Sequence, residues 1–89
     1  MGVNLPEWAV TKEMTEQAAH RIAAFVEGGF KFPEDAFLRY SYPQWCVKIS
    51  PDGKWLCTRP KDHKCPVHVA SWFQDPEKRD KRNVVDVWT

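Results

Sequence analysis

Eighty-nine residues, 43% hydrophobic and 28% charged, with a net charge of +1, suit one folded domain with a modest core. A chain of this size buries about 60–65% of its unfolded surface. The balance excludes a disordered chain and leaves no global pull toward nucleic acid. There is no apolar run long enough to span a membrane. Three cysteines, an odd number, and no signal peptide point to reduced thiols in the cytoplasm.

Residues 1–10 read as an arm whose Leu5, Trp8 and Val10 dock on the body. Residues 11–27 read as the main helix. Thr11 is the expected N-cap, with Glu13 and Glu16 near the positive end of the helix dipole. Met14, Ala18, Ile22, Phe25 and Val26 form an apolar stripe at helical spacing. Gly28-Gly29 ends the helix through a left-handed cap. His20 is expected at its surface. Residues 30–42 are aromatic and broken, with a short helix near 33–40 opened by Pro33 and Glu34-Asp35.

Two apolar, β-rich runs then flank Pro51-Asp52-Gly53, which predicts a hairpin over 45–58. Proline suits the second position of a type I turn and glycine the left-handed residue after it. A one-residue bulge at that turn sets Ser50 opposite Lys54 and Cys46 opposite Thr58. Trp45, Val47, Ile49, Trp55 and Cys57 then share an inner face, and Cys46 points away from Cys57. The rival register opposes Cys46 and Cys57. The partner of Cys46 thus separates a scaffold hairpin (Thr58) from half of a metal site (Cys57). Further on, Pro66 introduces a short helix near 67–74, Asp75-Pro76 stops it, and 77–82 is a solvated charge run. Residues 84–88 form a C-terminal strand that pairs with the hairpin. The expectation is one α+β domain over 1–89: a long N-terminal helix on a small antiparallel sheet, with short helices near 33–40 and 67–74.

Cysteine and histidine are dense between 46 and 68. Three reduced cysteines with no metal or other cofactor is the leading expectation, with Cys57 a core residue beside Trp55. The alternative is zinc on Cys57, His63, Cys65 and His68. Cys65-Pro66-Val67-His68 has the two-residue spacing of a half-site, and thiolate and imidazole suit tetrahedral zinc. A hairpin followed by a ligand-bearing helix resembles treble-clef zinc modules over about 25 residues, on the spacing grounds that define such motifs. Asp62-His63-Lys64-Cys65-Pro66 also resembles the opening of HNH nucleases, which implies a general-base role for His63. The asparagine and histidine that complete that family's metal site have no counterparts here. A Cys–His nucleophile pair, Cys65 with His63 or His68, would need an orienting group and an oxyanion hole.

No catalytic constellation emerges, so a non-enzymatic protein-binding module is the leading functional expectation. Five tryptophans are many for one small core, and Trp8, Tyr40, Tyr42, Trp72 and Trp88 are the expected interface aromatics. Compact proteins of this kind are common among phage and mobile-element accessory proteins that inhibit a host enzyme. The alternative partner is nucleic acid, met by Arg59, Lys61, Lys64, Lys78, Arg79, Lys81 and Arg82. Asp62, Glu77 and Asp80 interrupt that basic set.

Overall fold

A computed structural model describes residues 4–38, 41–73 and 82–89. Tyr40, the stop at 75–76, and Lys78, Arg79 and Lys81 of the charge run lie outside the described residues. The architecture is α+β. Helix α1 (Glu16–Glu27) packs on an antiparallel pair, β1 (His68–Phe73) and β2 (Arg82–Trp88), with a 3-10 turn at Glu34–Phe37 beside them. No helix among the described residues is long and apolar enough to cross a membrane.

Helix α1 starts later than expected. Thr15, not Thr11, is the N-cap, and its hydroxyl accepts the Ala18 N–H at 3.0 Å. The same hydroxyl donates to Asp52 Oδ2 at 3.0 Å, a tertiary partner that Thr11 lacks in any local reading. The C-terminal end follows the glycines: the Phe30 N–H reaches back to the Phe25 carbonyl, and Gly29 takes φ +87°. His20 is exposed, 3.8 Å from Glu16 one turn earlier.

The expected helix at 67–74 is instead strand β1. Its Val67–Phe73 stretch is short and apolar, and such a run does not distinguish strand from buried helix by period alone. Partners on both sides decide for the strand. β2 pairs along one edge, with His68 opposite Trp88 and Val69 opposite Val87. Thr58 of the hairpin donates its N–H to Val69 O on the other edge. The C-terminal strand therefore does not pair with the hairpin as expected, because β1 lies between them. The arm completes the layer: Val10 N–H donates to Val84 O, and Val84 N–H to Trp8 O.

Val84 and Val87 join one core cluster although they are three apart. The register explains this. Ala70 faces Asp86 but Ser71 faces Val84, so β2 holds an extra residue, Val85, which bulges and resets the alternation. The first cluster gathers Ile22, Ala36, Val67, Val69, Val84 and Val87 under Trp8, Phe25, Phe30, Phe32 and Phe37. The second holds Cys57, Ala70, Val85 and Trp88, flanked by Cys46 and Trp55. Each fully buried aliphatic side chain contributes about 1.5–3 kcal/mol.

The hairpin exists, but in neither anticipated register. Its rungs are Ile49 with Leu56 and Trp45 with Pro60. The turn is one residue longer than expected. Gly53 does take the left-handed residue, at φ +75°, but the Ser50 N–H reaches Trp55 O rather than residue 54. Ser50 becomes buried and Ile49 stays 59% exposed, reversing the expected inner face there. A second irregularity follows. Val47 N–H donates to Cys57 O, while Cys57 N–H donates to Lys48 O. Two residues thus share one partner, and Val47 sits at φ +57°. This is a local kink at Val47, since the rungs on either side keep one register.

Two guanidinium groups, Arg21 half-buried and Arg59 buried, fix the hairpin to the body. Arg21 grips Asp86 through Nε (2.9 Å) and Nη2 (2.6 Å) and reaches Asp52 at 3.3 Å. Arg59 grips Asp35 through two hydrogen bonds and donates to Val67 O at 2.7 Å.

Candidate functional site

The kink at Val47 determines what the hairpin presents. Cys46 N–H bonds Arg59 O, so Cys46 faces neither Thr58 nor Cys57 directly. The distortion instead turns its sulfur toward Cys57. Beyond the hairpin, His63 N–H closes a turn on Pro60 O, Lys61 N–H bonds Gln44 O, and Asp62 takes φ +64°. That tight loop aims the His63 ring back at the hairpin. His68, the first residue of β1, enters from the sheet.

The four side chains meet. One ligand atom from each of Cys46, Cys57, His63 and His68 lies within 4.8 Å of all the others. Cys46 Sγ is 3.6 Å from His68 Nδ1, and Cys57 Sγ is 3.6 Å from His63 Nε2. Cys57 is fully buried and the other three are half-buried. Three of the four residues of the anticipated zinc set are here. The fourth, Cys65, is replaced by Cys46. Cys65 contributes its carbonyl, 2.7 Å from His63 Nδ1. A carbonyl only accepts, so Nδ1 carries the proton and Nε2 presents its lone pair to the cluster.

Electrostatics set the protonation of these groups. Burial pushes the Cys57 thiol up to about 11, and the neighbouring Cys46 adds to the rise. Burial also lowers the His68 imidazole, helped by the charges of His63, Lys48 and Arg59. His68 is therefore favoured in the neutral form that ligates metals. Trp88 stacks on its ring at 5.8 Å between centroids.

A second feature lies on the hairpin's other side. Trp45, Trp55, Leu56, Thr58, Ala70, Trp72 and Lys54 line a groove of about 160 Å³. Trp55 and Trp72 meet edge to face at 6.1 Å. Tyr42 packs edge-on against Trp45, and Arg82 lies 6.0 Å over the Trp45 ring.

The expected interface aromatics separate accordingly. Trp72 (46% exposed) and Tyr42 are at the surface. Trp8 is half-buried against Phe32. Trp88, at 4% exposed, belongs to the core and not to an interface, because β2 is covered on both faces. Trp45 and Trp55, read from sequence as core, line the groove. Of the basic set, Lys61 and Lys64 are exposed. Arg59 and Arg82 are buried and engaged, Arg82 donating to Leu38 O at 2.6 Å. Comparison with protein-family models, curated proteins and solved structures gives no match.

Proposed function

We propose that this chain is a non-enzymatic, cytoplasmic protein-binding module that grips an extended apolar segment of another protein. The observation that carries the reading is the tryptophan-lined groove. Trp45, Trp55 and Trp72 converge on one concave strip beside β1, and Leu56, Ile49, Tyr42 and Trp72 leave apolar surface exposed around the hairpin. Clustered exposed aromatics of this kind mark interfaces. Lys54 at the groove favours an acidic residue beside the apolar anchor on the partner.

Two observations weigh against catalysis. A nucleophilic cysteine needs a lowered pKa and access, whereas Cys57 is fully buried and pushed up to about 11, first by burial. A general-base His63 needs a free ring nitrogen, whereas one faces Cys65 O and the other Cys57 Sγ. Nucleic-acid binding is weakened by the burial of Arg59 and Arg82.

Selection of a random peptide library on the immobilised protein tests the proposal. The expected result is enrichment of peptides with an aromatic or aliphatic anchor and an acidic flank, which bind the wild type and lose affinity for Trp72→Ala. Failure to enrich any sequence dependent on Trp72 would refute it. So would tight, salt-sensitive binding of single-stranded oligonucleotides in place of peptides.

A further inference from the structure

The cluster of Cys46, Cys57, His63 and His68 matches tetrahedral coordination in its dimensions as well as its composition. With Zn–S of about 2.3 Å and Zn–N of about 2.05 Å, a tetrahedral angle sets S···N at about 3.6 Å, S···S at about 3.8 Å and N···N at about 3.3 Å. Two of the four S···N separations, Cys46 Sγ to His68 Nδ1 and Cys57 Sγ to His63 Nε2, are 3.6 Å, and all four ligand atoms lie within 4.8 Å of one another. Two thiol sulfurs and two imidazole nitrogens select a borderline-soft ion, and a tetrahedral S₂N₂ set is the signature of zinc. His63 has the outer hydrogen bond that metal-bound histidines usually carry, from Nδ1 to a backbone carbonyl. Besides His63, the charged side chains that act on His68 are Lys48 and Arg59, both cationic, so the two sulfurs are the ligands that would neutralise a divalent cation.

We infer that these four residues bind one zinc ion in a closed, structural site. Four protein ligands complete the tetrahedron and leave no position for a substrate or a reactive water. The zinc joins three segments, the hairpin arms through Cys46 and Cys57, the 60–65 loop through His63, and β1 through His68, and adds to the hydrogen bonds by which Thr58 already ties the hairpin to β1. Its binding free energy is then folding free energy for this end of the molecule. The ligands are also neighbours of the groove. Cys46 follows Trp45, Cys57 lies two residues after Trp55, and His68 begins the strand that carries Trp72. Zinc therefore fixes the relative position of the groove's walls. The site stands whether or not the groove has the proposed occupant.

Metal analysis and differential alkylation of the full chain test the inference. Purified wild type and Cys65→Ser are expected to carry zinc in equimolar amount, and Cys46→Ser and Cys57→Ser almost none. Since the last two variants could fail to fold, the wild type provides two further readouts. Cobalt(II) in place of zinc should give the intense d–d bands of tetrahedral coordination with thiolate-to-cobalt charge transfer, unchanged in Cys65→Ser. In zinc-loaded protein N-ethylmaleimide should label Cys65 many-fold faster than Cys46, although both are half-buried, and a chelator should abolish the difference. The inference is overturned by wild type that neither carries nor takes up zinc or cobalt, by Cys46→Ser that keeps equimolar zinc, by Cys65→Ser that loses it, or by equal labelling of Cys46 and Cys65 with zinc present. Zinc-loaded protein that selects no peptide would sink the binding proposal and leave the metal site standing.

Discussion

Replacing Arg21 with methionine tests how the hairpin and helix are held together. Asp86 is fully buried, and its carboxylate has three hydrogen bonds: two from Arg21 and one from the Val87 N–H at 2.8 Å. Methionine keeps the apolar stem and removes the charge, leaving the carboxylate with one partner. Removing one side of a buried ion pair costs about 3–5 kcal/mol. The Arg21 side chain is 23% exposed, so water can partly replace it, and the lower end, about 3 kcal/mol, is the relevant figure. Total stability for this length is about 4–13 kcal/mol, so the variant loses a large fraction. At about 4–8 °C per kcal/mol, the midpoint should fall by about 12–24 °C in zinc-containing buffer, read by circular dichroism. Burial already raises the Asp86 pKa, and Arg21 opposes that rise. Without Arg21 the folded pKa rises further above the unfolded value. The penalty is then complete above the folded pKa and fades as pH falls through it. The deficit should therefore shrink toward mildly acid pH, and Asp86→Asn in the same background should recover part of it. A loss below about 1 kcal/mol at neutral pH would refute the reasoning, because it would mean the carboxylate is not paying the burial cost assigned to it.

Trp72→Ala should change stability by less than about 1 kcal/mol, since the ring is on the surface, yet weaken the selected peptides by about 30-fold, a loss typical of an interface hot spot; parallel unfolding and binding titrations read both. Asp52 is pushed up by burial, but hydrogen bonds from Ser50, the Lys54 N–H and Thr15 and the Arg21 charge outweigh this and hold it at about 2. That stabilisation, about 2 kcal/mol, is present above the unfolded pKa and lost between about pH 4 and pH 2. Asp52→Asn should flatten the wild-type acid limb over that window, and identical limbs would contradict it. Gly53→Ala should cost about 1 kcal/mol: a left-handed alanine costs about 1–2, offset by about 0.4–1 from the stiffer unfolded chain. No atom lies within 4 Å of the added methyl, so urea denaturation reads a conformational cost without a clash.

Where the cause of a feature is local, the sequence carries it. The glycines at 28 and 29 end the helix and Gly53 takes the left-handed turn residue, since each needs only neighbouring residues; the β-branched run near the end forms a strand, with β1 as its partner. Other features are decided by a distant partner. Thr15 caps the helix because Asp52 fixes its hydroxyl, and His68–Phe73 is a strand because β2 and Thr58 flank it. The metal ligands show the same division. His63, His68 and Cys57 were legible as a Cys/His cluster. Regular pairing along the hairpin turns Cys46 away from them. A β-branched valine in left-handed conformation has no sequence signature, yet the kink it makes brings Cys46 to the site. The pairing of Cys46 and Cys57 across the turn was the one available hint.

The order of strands has a consequence for how the chain is assembled. β1 and β2 occupy the middle of the layer, with the hairpin and the N-terminal arm added to their outer edges. The two central elements lie after residue 67, so α1 and the hairpin precede the surfaces they pack on. On the ribosome, where domains fold as their sequence emerges, these earlier segments wait with apolar faces uncovered until β2 is made. Long sequence separation also slows the search. Tethered nascent chains of increasing length should therefore gain protection from proteolysis in one late step, when Trp88 has cleared the exit tunnel, and not in stages that follow α1 and then the hairpin.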